Sequence, residues 1–428
     1  MKHYYLSRRE FLRIAGILGL AAASGLSMPA SVSCGSGSKA GQKLKVGLIT
    51  PSTGVASEKG KPGQDGLLDC INYINNELGG VSGYQIDAIH RDSGYDMGRV
   101  TNIVNEFMDA GCLMFTTMAS AEMTAAMAIA NPAEFPGMCT FTAQNLYHPP
   151  KHIYGQMPDY GDDWVAFAKY YKENIWKGSG KPRMALHLLN NSTGKGAGDA
   201  ARAAAGDLGI DMIAPEEHAA TVQSAIESLT RIKAQNPDVL FISSTPQPTS
   251  VIIKDARNLG MMPAMTVGCA HASFTKALID LAGPANVEGV YGVFPTVSWD
   301  DNVPGIAKAK EYCQKYNPAD LGNMDYLTMW TTALVVAEIL RKAVTNAGYD
   351  KLSKGGVEAW RALEKEGIQK LKDYNVEGLH GPVNYTPGDN RLDKYVRMYR
   401  ITGGKIGLVK DWTEAPNIKY EDLDWFPK

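Results

Sequence analysis

Residues 45–54 read Lys45-Val46-Gly47-Leu48-Ile49-Thr50-Pro51-Ser52-Thr53-Gly54. The apolar run is short enough for a strand covered on both faces, and the Pro, Ser and Gly behind it read as a loop. Leu67, Leu68, Ile71, Ile74 and Leu78 then recur at helical spacing, and Gly79-Gly80 supplies the positive φ that ends a helix. The unit repeats downstream: a strand over Gln85–His90, a helix over Met97–Ala110, a strand over Leu113–Thr117, a helix from Ala121 and a strand around Met138–Phe141. Strands that alternate with helices predict a parallel sheet with helices packed against it.

A second series opens at Met184-Ala185-Leu186-His187-Leu188-Leu189 and runs into Ser192-Thr193-Gly194, an echo of Ser52-Thr53-Gly54 after the first strand. Helices are expected over Ala200–Leu208, Val222–Ala234 and Ser250–Leu259, with strands over Val239–Ile242 and Met265–Val267. Near the end, Tyr395–Ile401, Gly403-Gly404 and Ile406–Val409 suit a hairpin at a sheet edge. The fold class is therefore α/β, with two doubly wound halves. Ligands of such sheets lie beyond the carboxyl ends of the strands, where helix N-termini offer unpaired N–H groups, so two facing halves make a cleft.

The chain's size agrees, since 428 residues are nearly three times the ~150 that one domain commonly uses. Hydrophobic residues at 44% and charged residues at 21% are ordinary globular usage. Forty-three Lys+Arg against 45 Asp+Glu give a net charge of −2, with no basic block able to neutralise a run of phosphates, so nucleic acid is not an expected partner. Cysteines at 34, 70, 112, 139, 269 and 313 contain no CxxC pair, which removes a zinc cage and a thioredoxin-type motif. Cys112 and Cys139 fall near neighbouring strands, and buried thiols are expected there.

Ser7-Arg8-Arg9-Glu10-Phe11-Leu12-Arg13 sets paired arginines before an apolar stretch from Ile14 to about Met28. That is an export signal, too short and glycine-rich for a membrane span, and it resembles a twin-arginine signal. Cys34 precedes the flexible linker Gly35-Ser36-Gly37-Ser38-Lys39. Two outcomes stay open: a lipid on Cys34 that tethers the protein to a membrane, after a weak lipobox Ser31-Val32-Ser33, or cleavage after Ala30. Residues 1–33 carry four basic and one acidic side chain, so their removal leaves a net charge of −5.

Motifs of reactive chemistry are scarce. Asn191-Ser192-Thr193-Gly194-Lys195-Gly196-Ala197-Gly198 follows a strand, but Gly196 stands where a phosphate loop needs Ser or Thr, and Leu189 where it needs Gly. Glycines that let a loop approach a helix start are the expected reading. His148-Pro149-Pro150-Lys151-His152 cannot stack its imidazoles on a helix, and reads as a surface loop. Tyr395, Arg397 and Tyr399 alternate as one face of a strand. His271 with Ser273 or Cys269 is a conceivable nucleophilic pair, though neighbours on a strand end point apart. HExxH and GxSxG are absent from the sequence.

Gly47 to Gly60, Ile71-Asn72-Tyr73-Ile74-Asn75-Asn76 with Gly79 to Gly83, Arg91-Asp92-Ser93, Asp238 to Arg257, Gly283 and Pro158-Asp159 together resemble the branched-chain amino-acid-binding family of periplasmic solute receptors. The resemblance spans residues 43 to 412. It implies a type I fold, two Rossmann-like lobes joined by a three-strand hinge. Residues 43–156 with 297–376 would form the first lobe and 157–296 with 377–428 the second, after a signal at 1–33 and a linker at 34–42. It implies a non-enzymatic, monomeric protein of the periplasm or of the extracytoplasmic face of the membrane, without cofactor or metal, that hands a small solute to an inner-membrane ABC permease by closing its lobes. A sensor of the same fold, signalling to a membrane or cytoplasmic partner, is the alternative.

The resemblance also carries site residues. Ala119 and Ser120 sit where the family binds a ligand carboxylate. Thr142, Ala143 and Gln144 occupy the next strand end, with Gln144 in place of the usual Thr or Ser. Lys59 lies in the first loop, where it meets a second acidic group or reaches solvent. Thr193 and Thr245 replace covering tyrosines, and Trp164 would restore the apolar surface or pack in the core. His271 stands where amino-acid receptors carry the acidic partner of the ligand ammonium. Burying an ammonium without a counter-charge costs several kcal/mol, so an organic acid or an amino-acid-like amide is the expected solute.

Overall fold

Residues 39, 41–424 and 426 are described by a computed structural model, which places two parallel-sheet lobes side by side between residues 41 and 424. The first sheet has the order β2-β1-β3-β4-β5, built from β1 (Lys43–Thr50), β2 (Gln85–Asp92), β3 (Phe115–Ala119), β4 (Gly137–Phe141) and β5 (Ile153–Gly155), all parallel. Helices α1 (Ser57–Asn76), α2 (Met97–Asp109) and α3 (Ser120–Ala133) make the crossovers. Strand order reverses between β1 and β3, the switch point beyond which such sheets take ligands. Val46, Leu48 and Ile49 are wholly buried, as a two-faced parallel strand requires.

The second lobe follows helix α4 (Tyr160–Tyr170). Its sheet has the order β13-β12-β11-β10-β9-β6-β7, with β8 also beside β6. The strands β6 (Arg183–Leu189), β7 (Asp211–Met212), β8 (Glu216–His218), β9 (Val239–Ser243), β10 (Thr266–Cys269) and β11 (Tyr291–Phe294) are parallel. β12 (Tyr395–Thr402) and β13 (Lys405–Glu414) are the antiparallel hairpin at the edge. Helices α5 (Ser192–Leu208), α6 (Ile226–Ala234), α7 (Pro246–Asn258) and α8 (Lys276–Ala282) cover its faces. Phe241 packs with the α4 and α5 side, while its neighbours Leu240 and Ile242 belong to the opposite cluster, the alternation a strand imposes.

After β11 the chain returns to the first lobe as α9 (Pro304–Tyr316), α10 (Met324–Ala347) and α11 (Gly356–Glu366). It therefore crosses between lobes three times, near residues 156–159, 295–303 and 377–394. Bridges pairing Gly155 with Arg391 and Thr296 with His380 set these crossings beside one another.

Several expectations shift in detail. Helix α1 begins ten residues before Leu67, and Leu78 lies beyond its end, 55% exposed. Its glycines explain the early start: a Cβ on Gly60 would stand 1.9 Å from the Pro51 carbonyl oxygen, and one on Gly66 2.1 Å from that of Tyr326. Apolar spacing does not register a helix face that touches backbone. Helix α6 begins at Ile226 rather than Val222, because the Asp255 carboxylate holds the preceding turn through Ala225 N–H at 2.7 Å and Ser224 Oγ at 3.2 Å. Cys70, Cys112, Cys139, Cys269 and Cys313 are all free and buried. Arg8, Arg9 and Cys34 lie outside the described residues.

Candidate functional site

Five strand ends converge on the space between the lobes. In the first lobe, β1 opens into α1, β3 into α3, and β4 into Thr142-Ala143-Gln144; in the second, β6 opens into α5, and β9 into α7. Parallel winding puts all these loops on one edge of each sheet, and the two edges face each other.

At one end of the interface the contacts are hydroxyls. Ser192 Oγ donates to Ser120 Oγ at 2.8 Å, and Ser120 Oγ lies 3.3 Å from Thr193 Oγ1. Ser120 is the first residue of α3 and Thr193 the second of α5, so two helix N-termini meet here with their unpaired N–H groups. Nearby, Gln144 Nε2 donates to the Gly196 carbonyl at 3.2 Å, and Asn191 Nδ2 to Tyr95 Oη at 3.1 Å. Beneath Ser120, Glu122 accepts from Ala119 N–H at 2.9 Å and from Ser93. Burial holds its carboxyl up at about 7, against the hydrogen bonds that favour its charge.

At the other end the contacts are charges. Lys59 on α1 pairs with Asp325 in the first turn of α10, and its Nζ lies 3.8 Å from the centre of the Phe141 ring. Burial lowers the pKa of Lys59 and raises that of Asp325, each opposed by the charge of the other. Beyond Phe141, the His271 ring stacks on Tyr160 at 4.6 Å and on Phe141 at 5.1 Å. Its Nδ1 lies 2.7 Å from Asp163 Oδ2, which also accepts from the His271 N–H at 2.9 Å. Burial raises Asp163, opposed by His271.

Between these ends lies a cavity of about 20 Å³, bounded by Lys59, Ala119, Thr193 and Thr245 together with Phe141, Tyr95 and Tyr160. Ser120, Thr142, Ala143, Gln144 and His271 are wholly buried around it without bounding it. Trp164 is wholly buried in the hydrophobic core and does not reach the cavity. Lys59 reaches Asp325 rather than solvent. Among the described residues, Asp325 Oδ2, Asp163 Oδ1, His271 Nε2 and Gln144 Oε1 are buried without a hydrogen-bond partner.

Asp325, Asp163, Tyr95 and Tyr160 were not legible from the sequence as site residues. Asp325 lies 266 positions from Lys59, and its local signal, an Asp in a helix first turn capped by Asn323, is that of any helix start.

The other candidates have structural partners. Cys269 is buried, its thiol pushed up to about 12, and Ser273 Oγ donates to the Ala270 carbonyl at 3.3 Å, so neither forms a nucleophilic pair with His271. The stretch 148–152 is only partly at the surface, for His152 Nδ1 lies 3.0 Å from Glu364 and His148 is half-buried against Tyr147. Arg397 is buried between Asp301 and Asp411, beside Tyr399. The described residues contain no group of three or more His, Cys, Asp or Glu placed to hold a metal.

Comparison with known proteins places this geometry. The family described as "periplasmic binding protein" matches residues 43–405. A branched-chain amino acid ABC transporter structure from Thermus thermophilus with bound valine superposes with a TM-score of 0.78 at 19% identity, covering 90% of this chain and 99% of that one. A fatty acid ABC transporter substrate-binding protein from Thermomonospora curvata gives 0.76 at 20%, covering 90% and 95%. A leucine-binding protein from Thermotoga maritima gives 0.71 at 18%, covering 86% and 97%. At such identities the likeness is one of fold.

Proposed function

Because the chain belongs to the periplasmic binding protein family, whose members bind rather than transform, we propose that it is the extracytoplasmic solute-binding component of an ABC importer. Its lobes close by hinge motion over a small organic acid or amino-acid-like amide. Residues 1–33 direct export by the twin-arginine route, and the mature protein works as a monomer, free or tethered through Cys34, and delivers its solute to an inner-membrane permease.

The observation that carries this reading is the pairing of Ser120 with Ser192 and Thr193 across the lobe boundary. Hydroxyls and helix N-terminal amides from both lobes suit a carboxylate, which would replace the direct contact between lobes. The opposite end suits an amide: its oxygen accepts from Lys59, while Asp325 keeps the lysine charge compensated. Phe141, Tyr95 and Tyr160 cover the apolar part between. Relatives of this fold bear names for branched-chain amino acids and fatty acids, so the pocket chemistry, not the fold, selects the solute.

Titration calorimetry of the full chain against a panel of organic acids and amino-acid amides tests this. Binding of one panel member is expected, weakened by Ser120→Ala and by His271→Ala. Affinity unchanged within about twofold in both variants, or conversion of the bound solute on long incubation, overturns it.

A further inference from the structure

We propose that a second cavity, shared by both lobes and ringed by three lysines, binds a small multivalent anion and thereby holds the lobes together. It measures about 490 Å³, within the ~300–1,000 Å³ common to small-molecule sites, and shares no lining residue with the cleft cavity. The second lobe contributes Lys276 from α8 and Lys405 from the hairpin. The first lobe contributes Lys310 from α9 and Met324 from the start of α10, and Trp299 lies on the crossing between them.

The charge around this space is lopsided. Asp300 is the one acidic residue among its lining against the three lysines. Lys276 pairs with Asp280 on its own helix, whereas among the described residues Lys310 and Lys405 have no ion-pair partner within 4.0 Å. Lys310 of the first lobe lines the same space as Lys276 and Lys405 of the second, and like charges on the two sides oppose a close seating of the lobes there. An anion between them reverses the sign of that interaction, and an anion of two or three charges compensates both lobes at once. Ammonium groups act as point charges on flexible stems, so the site suits clustered carboxylate or phosphate oxygens rather than one planar carboxylate in a fixed fork. Trp299, 6% exposed, and Met324, 2% exposed, give the space an apolar wall. By linkage, an anion that favours the closed form raises affinity for a solute that does the same, and the solute raises affinity for the anion.

The test needs no knowledge of the cleft solute. The full chain is titrated by calorimetry with citrate and, separately, pyrophosphate, each against sodium chloride at matched ionic strength, and the radius of gyration is followed by small-angle X-ray scattering. Saturable binding of either probe at one per chain, weakened about tenfold or more in both Lys310→Gln and Lys405→Gln but not in Lys181→Gln, with a smaller radius when bound, is the expected result. The better probe assigns the site to carboxylates or phosphates. No saturable binding below about 10 mM, binding that Lys310→Gln and Lys405→Gln leave unchanged, or binding without compaction overturns the proposal. All three lysines carry half-buried or exposed side chains, and an unchanged melting temperature verifies that each variant folds.

Discussion

The two ends of the cleft solve one problem with different materials. Around Ser120, Ser192 and Thr193 the lobes meet through neutral hydroxyls at helix starts, whereas around Lys59 and Asp325 the first lobe holds a buried ion pair against Phe141. Hydroxyls can exchange a partner across the boundary for a ligand oxygen at small cost, because each hydrogen bond contributes only ~0.5–1.5 kcal/mol net. A buried ion pair cannot be half-dismantled so cheaply. The hydroxyl end therefore suits repeated opening and closing, and the charged end suits a fixed reference against which a solute is measured.

The largest effect expected from breaking this contrast is at Asp325. Asp325→Asn leaves the Lys59 ammonium buried without its counter-charge, and should lower stability by ~3–5 kcal/mol in urea unfolding. The double variant Lys59→Met with Asp325→Leu should recover most of it. If Asp325→Asn unfolds like the parent, the pair is not the rigid element described.

Next comes the buried carboxylate behind the hydroxyl end. Glu122 titrates near 7 in the fold, against 4.5 ordinarily. Between those values the native protein keeps a proton that the unfolded chain has lost, so stability falls as pH rises from about 4.5 to 7, by at most ~3 kcal/mol. Glu122→Gln should flatten that slope in melting curves recorded across the range. A parallel slope in the variant would mean that another group carries it.

Smaller still is Ser120→Ala, which should weaken binding of a panel solute about tenfold, the value of a hydrogen bond to a charged oxygen. Thr245 bounds the cavity at 9% exposure, and Thr245→Val should change affinity by less than about threefold. A larger loss there would move the solute's polar contacts from the hydroxyl end toward α7.

The same division explains what the sequence revealed. Strand followed by turn and helix is a local pattern, and at those strand ends the resemblance to solute receptors marks Ala119, Ser120 and Thr193, whereas Ser192, which donates to Ser120, reads only as part of the echoed Ser-Thr-Gly turn. An ion pair is a long-range fact. Lys59 reads as a lysine of the first loop but stands in the first turn of α1, and its partner comes from a helix that returns to the first lobe only after the second lobe's parallel strands are complete. His271 likewise reads as a lone imidazole until α4 supplies Asp163. The glycines of α1 misled for a related reason. Gly60 and Gly66 permit contact with backbone far away in the chain, and hydrophobic periodicity is blind to contacts that contain no side chain.

The edge hairpin has a consequence for how such a molecule is made. β12 and β13 extend the second sheet beyond β11, and in the chain they follow every other strand described. A nascent chain that has reached residue 390 presents β11 as an unfinished margin, open to pairing with any extended segment it meets. Pairing of β12 with β11, and of β13 with β12, covers that margin.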